Sequence, residues 1–174
     1  KQKISVLAIL IFAILISTSC IYTGPSLKGN GNVVEEKRKT GDFEEIIVSR
    51  GMNVYITQGD ITKVTVKADE NLLDAIETRR EGDALKVTVN TNIKTATVKK
   101  VFFTATDIST IRASSGSNIF SETVINSKNL DLSSSSGSNL KLDVSTQKLE
   151  ASVSSGSNIQ LEGKTNIFYG KASS

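Results

Sequence analysis

Ser114-Ser115-Gly116-Ser117-Asn118, Ser135-Ser136-Gly137-Ser138-Asn139 and Ser154-Ser155-Gly156-Ser157-Asn158 are one pentapeptide written three times, at spacings of 21 and then 19 residues. The flanking aliphatic residues keep register with it. Leu130, Leu132 and Ser134 alternate with Asp131 and Ser133 before the second copy, and Leu149, Ala151 and Val153 alternate with Glu150 and Ser152 before the third. Leu140, Leu142 and Val144 follow the second copy at every other position, and Ile159 and Leu161 follow the third. A period of two is that of an extended strand with one face buried. Each unit therefore reads as strand, bend, strand, with Gly116, Gly137 and Gly156 supplying the backbone freedom of the bend. Ala172-Ser173-Ser174 falls where a fourth copy would start, so the domain is expected to be truncated at its C-terminus.

A unit of this length cannot bury an apolar face alone, so neighbouring copies must stack and share a core. That predicts an all-β protein, a parallel β-solenoid of the right-handed β-helix type, with coils about 4.8 Å apart. Stacked bends would align Asn118, Asn139 and Asn158 into an amide ladder with rows of serine hydroxyls beside it. The competing reading is an antiparallel meander of hairpins. Ser49-Arg50-Gly51-Met52-Asn53-Val54 repeats the spacing early in the chain, which adds Gly51 and Asn53 to the turn ladder. Further strands are expected around Val64/Val66/Ala68 and Leu85/Val87/Val89, joined through one short helix over Glu70 to Ile76, with a turn at Glu81-Gly82-Asp83. No linker interrupts 33–174, which reads as a single domain.

The residues before it read as an address. Lys1 and Lys3 precede an apolar run from Ile4 to Ile16, and Ser17-Thr18-Ser19-Cys20 closes it. This is the pattern of a secretory signal, too short for a membrane span. The lone Cys at its end resembles the acylation site of a bacterial lipoprotein, with a signal over 1–19, lipid on Cys20 and a flexible tether over 20–32. Ser17 stands where such signals usually carry Leu, and the alternative is an ordinary cleaved signal with an incidental Cys. Losing Lys1 and Lys3 takes the formal charge from +3 to +1. With no basic stripe of interleaved aromatics left, nucleic acid is not expected as a partner.

The composition excludes most catalytic devices. The 174 residues contain no His, no Trp and one Cys, which removes His-dependent triads, His or multi-Cys zinc sites and internal disulfides. Neither a cofactor nor a metal is expected. Glu122, Asp143 and Glu162 each stand eight residues after the start of their pentapeptide, and as a stacked column they would either splay into water or hold a cation such as Ca²⁺. Serine and asparagine rows could equally hydrogen-bond a glycan, although their ordinary role is to form turns. Two function classes follow. One is a non-enzymatic envelope lipoprotein with a binding or scaffold role; the other is a polysaccharide lyase or hydrolase on a β-helix scaffold, which would need a close carboxylate pair in a cleft.

Gly29-Asn30-Gly31-Asn32-Val33, Asp42-Phe43 leading to Val48-Ser49-Arg50-Gly51, Val54-Tyr55-Ile56-Thr57-Gln58-Gly59, Ala68-Asp69-Glu70-Asn71-Leu72-Leu73 and the Ser-Gly-Ser-Asn repeats together resemble the family of "putative auto-transporter adhesin, head GIN domain" proteins, common among Bacteroidetes lipoproteins. The resemblance implies a β-helix-like fold, a cell-envelope location and an adhesin role; attachment to the outer membrane and a glycan or envelope protein as ligand are the expectations built on it. It carries no catalytic residue. The expectation is thus a lipid-anchored envelope protein without enzymatic activity.

Overall fold

The computed structural model describes residues 25–174; the signal segment 1–19 and Cys20 lie outside the described residues. Fourteen strands are described: β1 Ser26–Lys28, β2 Val33–Arg38, β3 Glu45–Val48, β4 Asn53–Gln58, β5 Lys63–Asp69, β6 Ile76–Glu81, β7 Ala84–Val89, β8 Asn92–Thr95, β9 Lys99–Ala105, β10 Thr110–Ala113, β11 Asn118–Ser121, β12 Ile125–Ser134, β13 Asn139–Ser154 and β14 Asn158–Ser173. Twelve of them form one sheet with the path β2-β5-β9-β4-β11-β13-β12-β10-β3-β7-β6, and β14 adds to β13. The sheet curls around a single core into a nearly closed barrel.

The alternating aliphatics build that core as predicted from their period. Paired positions line up across the strands as columns. Leu85, Ile46, Ile111, Leu132, Ala151 and Gly170 form one. Val101, Val54, Ile119, Leu140 and Ile159 form another. Ile46, Ile111, Leu132, Val54 and Ile119 are wholly excluded from solvent. At about 25 cal/mol per Å² of apolar surface removed from water, these columns are the main stabilising element of the fold.

The parallel β-solenoid expected from the sequence is not the fold. Pairing is mixed: β2–β5, β5–β9 and β6–β7 are antiparallel. The physical reason lies in the corners. Wherever the Ser-x-Gly-x-Asn spacing occurs, two successive residues take positive φ: Arg50 and Gly51, then Ser115 and Gly116, Ser136 and Gly137, Ser155 and Gly156. There the chain turns from one segment of the sheet to another and its neighbours pair in parallel. Between β4 and β9 that spacing is missing. The chain instead reverses through Gly82, at φ 62 in the first central position of a two-residue loop between β6 and β7, as a type II′ hairpin requires.

The short helix expected over Glu70 to Ile76 is not confirmed as a regular helix. Glu70–Ala75 is 3₁₀ and carries Leu72, fully buried, against the end of the core. It helps to shut the barrel. Arg38, on the edge strand β2, donates to the carbonyl of Leu73 at 3.0 Å and to that of Ile76, the first residue of the opposite edge strand β6, at 3.5 Å.

The segment expected as a flexible tether, 20–32, is held from Ser26 onward. β1 pairs in parallel with β8, and the loop Gly29–Asn32 is pinned by the end of β5. Asp69 is fully buried and accepts the amides of Gly31 at 2.8 Å, Thr97 at 2.7 Å and Val98 at 3.3 Å. Asn71 receives the Asn30 amide at 2.9 Å and donates to the Lys28 carbonyl at 2.8 Å. Gly29 is needed here, because a Cβ would lie 2.5 Å from Asp69 Oδ2.

Burial alone would raise the Asp69 carboxyl, but the hydrogen bonds from Thr97, Val98 and Gly31 outweigh it and hold the group below the usual aspartate range. A depressed folded pKa contributes stability that is present above the unfolded value and is lost as pH falls through the folded one. The grip on Gly29–Asn32 is therefore expected to fail below roughly pH 4, so that limited proteolysis across the acid range cuts the 25–32 segment while the barrel stays intact. Asp69→Asn should show the same cleavage at neutral pH. Equal resistance of both proteins throughout would refute this account.

Candidate functional site

The corner ladder is assembled by the pentapeptides. In each, the fourth residue's amide closes the turn on the first residue's carbonyl, at 3.2 Å for Ser117, 3.3 Å for Ser138 and 3.2 Å for Ser157. With both central residues at positive φ, this meets the requirement of a type I′ turn. Asn53, Asn118, Asn139 and Asn158 occupy one register position. Asn118 Nδ2 donates to Asn53 Oδ1 at 2.8 Å, and Asn139 Nδ2 donates to Asn118 Oδ1 at 2.9 Å. Gly116, Gly137 and Gly156 point into open space, so φ alone selects glycine there.

Sequence reasoning placed the serines in rows beside this ladder and overlooked the fourth one. Ser117 and Ser138 are fully buried. Ser117 Oγ donates to Val48 O at 3.1 Å and Ser114 O at 2.6 Å, and Ser157 Oγ donates to Ser134 O and Ser154 O, both at 2.6 Å. Ser138 Oγ does the same to Ala113 O at 2.9 Å and Ser135 O at 2.8 Å. Each hydroxyl thus fastens its own turn to the preceding layer. The signal was available, since the early copy carries Met52 in the same place, and an inward position is what a buried Met and a bonded Ser share.

The carboxylates do not converge. Asp143 and Glu162 are paired across β13 and β14, while Glu122 Oε2 accepts the Thr57 hydroxyl at 3.2 Å. Among the described residues no group of three or more His, Cys, Asp or Glu side chains is placed to hold a metal. The aromatic residues give a second feature not foreseen. Phe103 is core, edge-on to Phe43 at 5.5 Å. Phe102, on the other face of β9, stacks on Tyr55 at 4.9 Å, and Tyr55 stacks on Phe120 at 5.2 Å. Rings stacked on one another present edges to solvent, so this ladder stabilises the outer face rather than offering flat platforms.

The concave surface lies away from the pentapeptide corners. A shallow trough of about 650 Å³ runs along Gln58, Asp60, Thr106, Thr123 and Asn126, and a second of about 490 Å³ continues it from Asn126 past Ser145, Gln147, Lys164 and Asn166. Gln58 organises the first. Its Nε2 donates to the carbonyls of Thr106 and Asn126 at 3.0 Å each, and its Oε1 accepts the Asn126 amide at 2.7 Å. The floor is built of amides and hydroxyls, donors and acceptors together. No part of it was read from the sequence, because the bends that form it share no motif.

Comparisons with known proteins agree on the architecture. A crystal structure described as a putative lipid binding protein from Parabacteroides distasonis superposes with a TM-score of 0.77 at 20% identity, over 85% of this chain and 65% of that one. One described as a putative adhesin from Bacteroides fragilis gives 0.76 at 18% identity, over 82% and 67%. A putative adhesin from Parabacteroides distasonis gives 0.65 at 18%, over 81% and 70%. The chain thus spans about two thirds of the length of these proteins, and at such identities the likeness is one of fold. No curated protein matches the sequence. The sequence pattern that defines one family does match, over residues 42–174, the whole barrel from the approach to β3 onward, and on that ground the chain belongs to the family described as "Putative auto-transporter adhesin, head GIN domain".

Proposed function

We propose that the protein is a non-enzymatic binding module of the bacterial cell envelope, anchored through lipid on Cys20, whose polar trough receives a glycan. The observation that carries this is the lining of the trough: Asn126, Gln147 and Asn166 offer amides, and Thr106, Thr123 and Ser145 offer hydroxyls, around a Gln58 whose own amide is spent on holding the bends in place. A sugar chain is a row of hydroxyls that donate and accept, and such a lining matches it, with Asp60, Lys128 and Lys164 as the charged positions along it. Catalysis of glycan cleavage would need two carboxyl groups facing one another across a cleft; Asp60 is the one carboxylate that lines these troughs. The family membership supports an adhesin role, and an adhesin needs attachment and a ligand surface rather than a reaction.

The test is a glycan array probed with the protein and with a Gln147→Ala, Lys164→Ala, Asn166→Ala triple variant. Gln147, Lys164 and Asn166 are all exposed, so the variant should fold. The expected result is retention of specific glycans by the parent, at least tenfold weaker retention by the variant, and no release of reducing sugar. A parent that retains no glycan, or a variant that retains them equally, would overturn the reading. In intact cells, Cys20→Ala should move the protein from the membrane to the soluble fraction.

A further inference from the structure

One dipeptide is chemically unlike the rest of the chain. Asn30-Gly31 is its only Asn-Gly pair. The ladder asparagines Asn53, Asn118, Asn139 and Asn158 are followed by Val54, Ile119, Leu140 and Ile159, whose side chains shield the next amide. Glycine shields nothing, and its free backbone lets its nitrogen swing onto the asparagine side chain. Attack within one molecule needs only that this geometry be allowed.

The fold calls for this pair. Gly31 sits at φ 82 with open space where a Cβ would stand, so backbone conformation alone selects glycine. Asn30 Oδ1 accepts the Asn32 amide at 3.0 Å, an Asx turn that an apolar side chain would not make. Both residues are exposed, so water reaches them. The fold also restrains them. The Gly31 amide donates to Asp69 Oδ1 at 2.8 Å, the Asn30 amide to Asn71 Oδ1 at 2.9 Å and the Gly29 amide to the Thr95 carbonyl at 2.8 Å. Asn32 is tied to Glu70 twice, donating from Nδ2 to Oε2 at 2.9 Å and accepting the Glu70 amide at 2.8 Å. An amide bonded to a carboxylate keeps its proton, because the anion left behind would stand beside a second negative charge.

We propose that Asn30 is a site of spontaneous deamidation held back by the Asp69 grip, and that modification there fixes the strap Gly29–Asn32 in its released form. Once free, the Gly31 nitrogen loses its proton to solvent and attacks Asn30 Cγ; the bond from Cγ to the side-chain nitrogen breaks and ammonia leaves. Water then opens the succinimide ring at one carbonyl or the other, giving aspartate, or isoaspartate with the main chain running through Cγ. Water is the only other reagent consumed. Isoaspartate lengthens the main chain between the two amides, so they can no longer reach Asn71 and Asp69 together. Aspartate sets a further carboxylate beside Asp69 and Glu70, where like charges repel. Either product weakens the grip that would have prevented it. The trough plays no part in this.

The test incubates the full chain at mildly alkaline pH and follows each asparagine by peptide mapping, with chromatography to separate aspartate from isoaspartate. In denaturant, Asn30 should be the first asparagine to convert. In the native chain conversion proceeds only through molecules whose strap is open, so it should be at least tenfold slower there. Asp69→Asn should approach the denatured rate at Asn30 alone. Asn71→Ala, an exposed change that removes one strap bond and leaves the barrel intact, should speed Asn30 several-fold over the native chain. Modified chains should be cut within 25–32 by a protease that spares unmodified ones. Equal rates at Asn30 in native and denatured protein, earlier conversion of another asparagine, no effect of Asn71→Ala, or modified chains that resist the protease would overturn the proposal.

Discussion

Replacing Ile111 by alanine is expected to lower the unfolding free energy by about 2–5 kcal/mol. Ile111 sits on β10 between Ile46 of β3 and Leu132 of β12, with no solvent exposure. The column is fixed by main-chain hydrogen bonds on both sides, so its neighbours cannot close over the space. Loss of transfer energy and an unrelaxed cavity therefore add. The equivalent change at Ala151 or Gly170, farther along the same column, has little or nothing to remove. Denaturant unfolding of the parent and the Ile111→Ala variant measures the difference; a loss under about 1 kcal/mol would mean that the barrel collapses around the gap.

Gly163→Ala is expected to act as strongly but on one strand only. Gly163 holds φ at 115, and a Cβ there would stand 2.0 Å from the carbonyl oxygen of Val144 and 2.9 Å from Asp143 Oδ1. The first contact is with backbone, which has no rotamer by which to yield. β14 must therefore part from β13 around the Val144–Gly163 pair. Hydrogen exchange should show at least tenfold faster exchange across 158–167, with the amides of β4, β10 and β11 unchanged. Unaltered protection of β14 would show that the strand re-registers without cost.

What the sequence disclosed, and what it withheld, follow from what a period can encode. Alternation identified the buried face residue by residue: Leu130, Leu132, Leu140, Leu142, Val144, Leu149 and Ala151 are all buried. Alternation does not say which strand lies beside which, or in what direction. Parallel stacking was inferred for the whole chain from corners that occur only before β4 and after Ala113, so the antiparallel pairing of β2, β5 and β6 was missed. The short helix expected over Glu70 to Ile76 is, in the structure, only a short 3₁₀ segment over Glu70–Ala75. Six residues between two strands leave room for about two turns of 3₁₀ helix, at about 3.0 residues each, and little more.

The N-terminal strap illegibly combined composition and contact. Gly29-Asn30-Gly31-Asn32 has the residues of a loose linker, and only the arrival of Asp69 from β5 makes it rigid. The carboxylates Glu122, Asp143 and Glu162 were singled out by their common offset from the corners, yet the pairing of β11 with β13 ends at Phe120 and Lys141, before Glu122 is reached. The Glu122 side chain turns to Thr57 instead, while Ser121 Oγ accepts the Asp143 amide at 2.8 Å.

Because β2, β5, β6 and the 3₁₀ segment occur once while the layers from β10 onward are built on one plan, the two parts of the barrel are not equally open to evolutionary change. Excision or duplication of one complete corner-to-corner stretch, such as 135–153, would leave Gly137-type amides opposite serine carbonyls and aliphatic columns unbroken. A change by half a stretch would set a corner against the middle of a strand. Gene lineages carrying this domain should therefore differ in size by steps close to the two corner spacings seen in this chain, 19 and 21 residues.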